Sequence, residues 1–265
     1  MLSSIILKVE DLTKVYETGL FKKKYITAVD KVSFNVSRGE IVSLVGESGS
    51  GKTTVAKIIL RLLPPTSGRV FYNGEDIWEK KSIEDLKKYW REVHAVFQDP
   101  FASFNPVYKI DRVLEQAFNL MGTPVDENAI KEALKEVALL PSEVLGKYPH
   151  ELSGGQRQRL MIARCFLLKP KLILADEPVS MVDASTRASI VNLFLRLRDE
   201  YKTSIIFITH DLGLAYFVSD RILIMYKGRI VEEGSPDELI SSPKDAYTRS
   251  LLESVPLLYG KWAGF

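Results

Sequence analysis

A single cysteine, Cys165, and three widely spaced histidines, His94, His150 and His210, leave this chain of 265 residues without a disulfide framework or a Cys/His metal cluster. Cys165 reads as a small core residue, and one thiol cannot supply a four-cysteine iron–sulfur cluster. Charge of one sign is missing as well. Lysine and arginine number 36 against 34 acidic residues, and a net charge of +2 is too balanced for a chain whose main partner is nucleic acid. The triple lysine Lys22-Lys23-Lys24 reads as a solvated loop face. No stretch reaches the roughly 18 consecutive apolar residues of a membrane span. Lys8, Glu10 and Asp11 interrupt the N-terminus before the apolar core of a signal peptide can form. The expectation is a cytosolic chain. Internal repeats and low-complexity tracts are absent too.

With 46% hydrophobic residues the chain can build a sizeable core. Three short apolar runs, Ile41–Val45, Leu172–Ala175 and Ile205–Ile208, lack polar alternation, which predicts strands buried on both faces of a parallel sheet. Val70-Phe71-Tyr72 leads into Asn73-Gly74, and Ile222–Met225 leads through Lys227-Gly228 to Ile230-Val231; these read as antiparallel strands flanking that core. From about Ile83 to Ile162 the pattern turns helical, with Ile130, Leu134, Val137 and Ala138 spaced for one helix face. The expected layout is an α/β core over 1–82 and 163–265, with an antiparallel β subdomain, and a helical lobe inserted at about 83–162. Ser235-Pro236-Asp237-Glu238 predicts a capped helix start near the C-terminus.

The run ending at Val45 continues into Gly46-Glu47-Ser48-Gly49-Ser50-Gly51-Lys52-Thr53, followed by Thr54: a full match to the phosphate-binding loop, placed between a strand and a helix. Its glycines let backbone N–H groups wrap phosphates at a helix N-terminus. Lys52 suits the β- and γ-phosphates, and the Thr53 hydroxyl suits Mg²⁺. A glycine-rich turn without a ligand would not need Lys52 and Thr53 at those positions. The second signal is Leu172-Ile173-Leu174-Ala175-Asp176-Glu177, which delivers two carboxylates at the C-terminal end of a strand, where ligands bind in open parallel sheets. Asp176 suits Mg²⁺, directly or through water, and Glu177 suits the water that attacks the γ-phosphate. Alone, a strand ending in Asp-Glu is as often merely solvated; after a phosphate loop it is informative. Together the two motifs specify an NTPase of the phosphate-loop class and still allow kinases, helicases and GTPases.

Leu152-Ser153-Gly154-Gly155-Gln156, followed by Arg157-Gln158-Arg159, narrows the choice. It resembles the signature of ABC ATPases, and Ser153 with paired glycines before a helix also reproduces an anion site at a helix N-terminus. The resemblance implies that the signature faces ATP across a head-to-tail dimer, because one protomer cannot readily aim both cradles at one γ-phosphate. It further implies that Gln98 links the γ-phosphate and Mg²⁺ to the helical lobe, that His210 is a switch histidine contacting the γ-phosphate, that Asp183 belongs to a loop crossing the dimer interface, and that Tyr16 stacks on adenine.

Narrower still, Phe97-Gln98-Asp99-Pro100-Phe101-Ala102-Ser103-Phe104-Asn105-Pro106, Tyr148-Pro149-His150-Glu151-Leu152, Asp176-Glu177-Pro178-Val179-Ser180 and Tyr247-Thr248-Arg249-Ser250-Leu251-Leu252 resemble the oligopeptide and dipeptide importer ATPases. That resemblance implies an ATP- and Mg²⁺-dependent subunit on the inner face of the membrane. Its partners would be a second cassette, identical or similar, two membrane permease subunits and, indirectly, an extracellular solute-binding protein. The same subfamily also serves oligosaccharides and nickel. Two departures stand out: Met181-Val182 replaces the usual Ala-Leu of the interface loop, and the sequence stops at Phe265 without the cysteine-bearing extension of many relatives. A soluble ABC ATPase acting on nucleic acid is the alternative; one continuous cassette with near-neutral charge argues against it. A regulatory module that does not hydrolyse ATP is disfavoured by the presence of Lys52, Asp176, Glu177 and His210 together.

Overall fold

The computed structural model describes residues 4–19, 23–79, 82–99 and 104–254. Lys22, Pro100, Phe101, Ala102, Ser103 and Phe265, named above, lie outside the described residues.

The chain opens with two long strands, β1 (Ile5–Thr18) and β2 (Lys24–Ser37), followed by β3 (Ile41–Val45) and α1 (Lys52–Ile59). β4 (Ser67–Tyr72) and β5 (Glu75–Asp76) form a hairpin around Asn73-Gly74, whose φ angles of 51° and 83° are those of a tight primed turn. Next come α2 (Ile83–Glu92), β6 (Val93–Val96) and four helices: α3 (Ile110–Met121), α4 (Glu127–Glu136), α5 (Pro141–Val144) and α6 (Gly154–Leu168). The remainder alternates: β7 (Leu172–Asp176), α7 (Ala184–Tyr201), β8 (Ser204–Thr209), α8 (Leu212–Val218), β9 (Arg221–Tyr226), β10 (Arg229–Gly234), α9 (Pro236–Ser241) and α10 (Ala246–Ser254).

Strands group into a four-stranded antiparallel sheet, β2-β1-β4-β5, and a six-stranded sheet, β10-β9-β3-β8-β7-β6. In the larger sheet every neighbouring pair is parallel except β9 and β10. The unbroken apolar runs sit in its middle because both faces are covered. Ile41, Ile173, Ile205 and Phe207 point into a core shared with α3, α4, α6 and α7, where Phe207 meets Phe194 edge to face at 5.8 Å. Val42, Leu44, Leu172, Leu174, Ile206 and Ile208 face the opposite core, shared with α1 and the antiparallel sheet. Period-two alternation is present in these strands, but both sets of side chains are apolar, so it is invisible as polarity.

Two expectations need correction. β9 is not part of an antiparallel flank: it pairs in parallel with β3, and only β10 runs the other way. A strand buried at Ile222–Met225 belongs inside a covered sheet, and hairpin chemistry at Lys227-Gly228 says only how it leaves. The helix carrying Ile130 and Leu134 stops at Glu136, and Ala138 takes a left-handed φ of 54°, so Val137 and Ala138 lie beyond its end. The stretch 83–162 also includes β6, an edge strand of the large sheet. Elsewhere Ser235 caps α9 with a reciprocal box to Glu238. Cys165 is fully buried, and burial pushes its thiol up to about 12. Among the described residues no helix is long and apolar enough to cross a membrane.

Candidate functional site

Between β3 and α1 the chain makes a tight loop over 46–51, and two of its glycines have no substitute. A Cβ on Gly46 would run into the Met225 carbonyl oxygen; one on Gly51 would strike the Ala28 carbonyl oxygen, from a left-handed φ of 110°. The loop is thus pressed between the end of β9 and the middle of β2. The β9–β10 turn fastens it: the Gly228 N–H donates to the Ser50 carbonyl at 2.9 Å, and the Asp30 N–H donates to the Gly228 carbonyl at 2.8 Å. Gly46 and Ser50 are buried, while Glu47, Ser48 and Gly49 form an exposed rim.

Lys52, the first residue of α1, is buried. Its ammonium donates to the carbonyls of Gly46 at 2.6 Å and Glu47 at 2.8 Å and to the Ser50 hydroxyl at 3.3 Å. Burial pulls its pKa below the ordinary lysine range, opposed by the fields of Glu177, Asp176 and Glu47. These hydrogen bonds go to neutral oxygens, so the positive charge is left for an anion. No side chain caps α1, whose first N–H groups add to the positive potential there.

Facing the loop, β7 ends on the buried Asp176. Burial raises its pKa, and a hydrogen bond from the Thr53 hydroxyl works against that rise. One carboxylate oxygen, Oδ1, is buried with no hydrogen-bond partner. An unmet carboxylate oxygen beside a hydroxyl is a hard-oxygen donor pair of the kind Mg²⁺ takes, so these residues fit that ion.

Glu177 follows with a left-handed φ of 50°, a conformation that costs a non-glycine residue about 1–2 kcal/mol. It is held there by its N–H to the Ile208 carbonyl at 2.9 Å and by the Ser180 hydroxyl donating to its own carbonyl at 3.0 Å. Its side chain is 14% exposed, whereas that of His210, just past β8, is 62% exposed. His210 Nδ1 lies 2.8 Å from both Glu177 carboxylate oxygens, a geometry that suits an Nδ1–H donating to the carboxylate. Ala28, Ser48, Gly49, Gly51, Lys52, Thr53, Thr54, Gln98, Glu177 and His210 line one cleft of about 470 Å³.

Ser153, Gly154, Gly155, Gln156, Asp183 and Tyr16 do not line it. Ser153 and Gln156 close a capping box at the start of α6, with Gln156 N–H to Ser153 Oγ at 3.2 Å and Ser153 N–H to Gln156 Oε1 at 3.0 Å. Asp183 caps α7, accepting from the Thr186 N–H and hydroxyl, each at 2.9 Å; bonds from Ser185 and Thr186 hold its carboxyl well below the usual range. The two caps adjoin, since a Cβ on Gly154 or Gly155 would sit 3.5 Å from the Met181 carbonyl oxygen or the Thr186 methyl. Tyr16 is half-buried on β1 opposite Ile26, two residues before the Ala28 that borders the cleft. The phosphate loop with its paired carboxylates thus lies in one place and a second, glycine-flanked helix N-terminus, capped by Ser153, lies in another.

A family model described as ABC transporter matches residues 29–180, from β2 to just beyond Glu177. The chain belongs to the ABC transporter family. Over 260 residues this ABC cassette is 43% identical to the oligopeptide transport ATP-binding protein AppF of Bacillus subtilis, covering 95% of this chain and 78% of that one. It is 42% identical to the oligopeptide transport ATP-binding protein OppF of Streptococcus pyogenes serotype M1, covering 97% and 83%. Among solved structures, a dimeric post-hydrolysis ATP-binding cassette bound to ADP and Pi superposes with a TM-score of 0.78 at 30% identity, covering 87% of this chain and 98% of that one. The chain is an ATP-binding, ATP-hydrolysing cassette and a subunit of a transport complex.

Two site neighbours escaped the motifs. Ala28 borders the cleft from β2 without any sequence signal, and Tyr247 of α10 reaches the loop rim at Glu47. Tyr247 stands in a subfamily-like stretch, but nothing in the chain's order ties it to a loop 200 residues earlier.

Proposed function

We propose that this cassette energises peptide import: it binds Mg·ATP in the cleft, closes on a second cassette, and passes the closure to a pair of membrane permeases. The observation that carries the reading is the convergence of Lys52, Thr53, Gln98, Glu177 and His210 on one cleft in a chain 42–43% identical to oligopeptide transport ATP-binding proteins.

In the proposed chemistry Lys52 lies along the β- and γ-phosphates and the loop N–H groups cradle them, an electrostatic and positioning role that costs no reorganisation. Thr53, Asp176 and Gln98 would hold Mg²⁺, which supplies charge neutralisation on the phosphates. Glu177, pinned by its backbone and by His210, orients the attacking water and accepts its proton. With Nδ1 turned to Glu177, contact with the γ-phosphate falls to Nε2 of the exposed ring, which donates there when both ring nitrogens carry a proton. The glycine-flanked start of α6, with Ser153, Gly154, Gly155 and Gln156, serves the partner's nucleotide, and the adjoining Asp183 turn lies along the dimer seam. Tyr16 stacks on the base beside β2.

Permease docking is supported by an apolar groove of about 750 Å³ beside Gln98, bordered by Trp90, Phe97, Leu120 and Met161. Val107 and Tyr108 are also exposed, at the end of the Phe101 to Tyr108 segment whose first three residues lie outside the described residues. Such a complex holds this subunit on the inner face of the membrane, where a solute-binding protein acts on it only through the permeases. The test is reconstitution with a pair of peptide permeases and their solute-binding protein. Peptide should stimulate ATP hydrolysis, whereas stimulation by an oligosaccharide or Ni²⁺ alone would refute the peptide reading. Transport with this chain as the sole ATPase would establish a homodimer; dependence on a second cassette would establish a mixed pair.

A further inference from the structure

Only one end of the phosphate loop is secured by the β9–β10 turn; the other end meets α10. The Glu47 N–H, at the exposed rim, donates to the Tyr247 hydroxyl oxygen at 3.0 Å. Tyr247 is itself immobilised: its ring stacks on Tyr226 at 4.1 Å with planes 26° apart. Its N–H is tied to Asp245 Oδ1 at 2.8 Å. The approach to α10 is pinned in turn by Glu232 of β10, which accepts from the N–H groups of Lys244 at 2.8 Å and Asp245 at 3.0 Å. Tyr226 follows Met225, whose carbonyl oxygen abuts Gly46. The end of β9 therefore backs the loop's first glycine directly and its second residue through Tyr247.

The same helix touches a second nucleotide-facing element. Leu251 and Leu252 pack on the small core formed by Leu212 and Ala215 of α8 with Val45, Ile222 and Ile224. α8 begins two residues after His210, and Val45 is the residue before Gly46.

We propose that Tyr247 is a positioning residue for ATP binding, holding the Glu47 end of the phosphate loop in the shape that receives the phosphates, with α10 as the rigid arm that carries it. Glu47 is exposed, so water can replace the lost acceptor, and removing the hydroxyl leaves no buried donor stranded. What is lost is order. A loop that samples more shapes must be ordered by the nucleotide, which weakens binding, whereas the groups around the γ-phosphate are unchanged once ATP is seated. The signature is a rise in Kd and KM without a matching fall in kcat.

This role rests on the phosphate-loop reading of 46–53, and the experiment separates the two. Tyr247→Phe keeps the stacking on Tyr226 and deletes only the hydroxyl; Tyr247→Ala removes both; Lys52→Ala reports on the loop itself. In the full chain, Mg·ATP binding by calorimetry and steady-state hydrolysis should give Tyr247→Phe a Kd and KM raised about three- to tenfold, with kcat within about twofold of the parent. Tyr247→Ala should be raised further. Hydrogen exchange should quicken at the Glu47 amide and its loop neighbours, while the urea midpoint stays near the parent's. Tyr247→Phe with parental Kd and KM overturns the role, as does faster exchange spread over the whole chain. Lys52→Ala with normal binding would overturn the phosphate-loop reading and this role with it. Lost binding in Lys52→Ala beside a parental Tyr247→Phe overturns the role of the tyrosine alone.

Discussion

Replacing Glu177 by glutamine tests the proposed hydrolytic centre with little disturbance to its shape. The amide oxygen can still accept the His210 Nδ1–H now 2.8 Å from the carboxylate, and the backbone bond from the Glu177 N–H to Ile208 is untouched. The left-handed φ of 50° is no harder for glutamine than for glutamate. What disappears is a negative charge able to accept a proton from water. A positioned general base is worth about 10²- to 10⁴-fold, so kcat should fall by that factor, about 2.7–5.5 kcal/mol in the barrier, while the affinity for Mg·ATP changes by less than about threefold. With hydrolysis blocked, ATP bridging Lys52 of one protomer and Ser153 of the other should hold the pair together. Phosphate release and light scattering after size exclusion, with and without Mg·ATP, read both consequences. Near-normal turnover would refute the role of Glu177. An inactive variant that stays monomeric in saturating ATP would refute the shared-nucleotide dimer while leaving the water-activating role standing.

Burial holds His94 neutral, its pKa pulled down from 6.5 to about 3 by desolvation first and then by the nearby Arg164, with a hydrogen bond to the Trp90 carbonyl opposing. Because the unfolded chain takes up the proton that the folded one refuses, the contribution of His94 to stability is full above pH 6.5 and declines below it by about 1.4 kcal/mol per pH unit. By pH 4.5 the loss should amount to about 3 kcal/mol, and His94→Gln should remove that part of the slope in urea titrations; an unchanged slope would refute the assignment. At the far end of β9, Arg221 donates to Glu40 at 2.8 Å and to the Asn35 carbonyl at 2.7 Å and also pairs with Glu233, joining β2, β10 and the start of β3. Arg221→Ala strands the mostly buried Glu40 and should destabilise by about 2–4 kcal/mol, read from the urea midpoint; a loss under about 0.5 kcal/mol would show the network to be idle.

Much of this molecule was legible in its chain order because the relevant physics is local. A phosphate loop is eight consecutive residues whose glycines meet backbone requirements, and Gly46 and Gly51 are pressed against carbonyl oxygens of β9 and β2 in the way that pattern demands. Ser235 and Ser153 announce helix starts through bonds that span three residues. The inner strands are short apolar runs, since a sheet covered on both faces needs nothing else. Local pattern failed where two partners distant in sequence made the decision. The direction of β9 depends on its pairing with β3, about 180 residues earlier, and the hairpin that follows does not reveal it. The end of α4 depended on Ala138 turning left-handed after an apolar spacing that continued past it.

The residue types at the cleft, Lys52, Thr53, Gln98, Glu177 and His210, are legible in the sequence, because each lies at or just past the end of a recognisable strand or at the start of a helix. Their meeting in one cavity is not. β8 lies between β3 and β7 in the sheet although more than a hundred residues separate β3 from either of them along the chain. Only that strand order brings the ends of β7 and β8 to the phosphate loop, so that Glu177 and His210 share a hydrogen bond. Tertiary packing alone also brought Tyr247 to the Glu47 amide. A hydrogen bond between a loop rim and a helix 200 residues away is fixed by how α10 seats on β9, β10 and α8, and that seating is a property of packed surfaces that no spacing along the chain encodes.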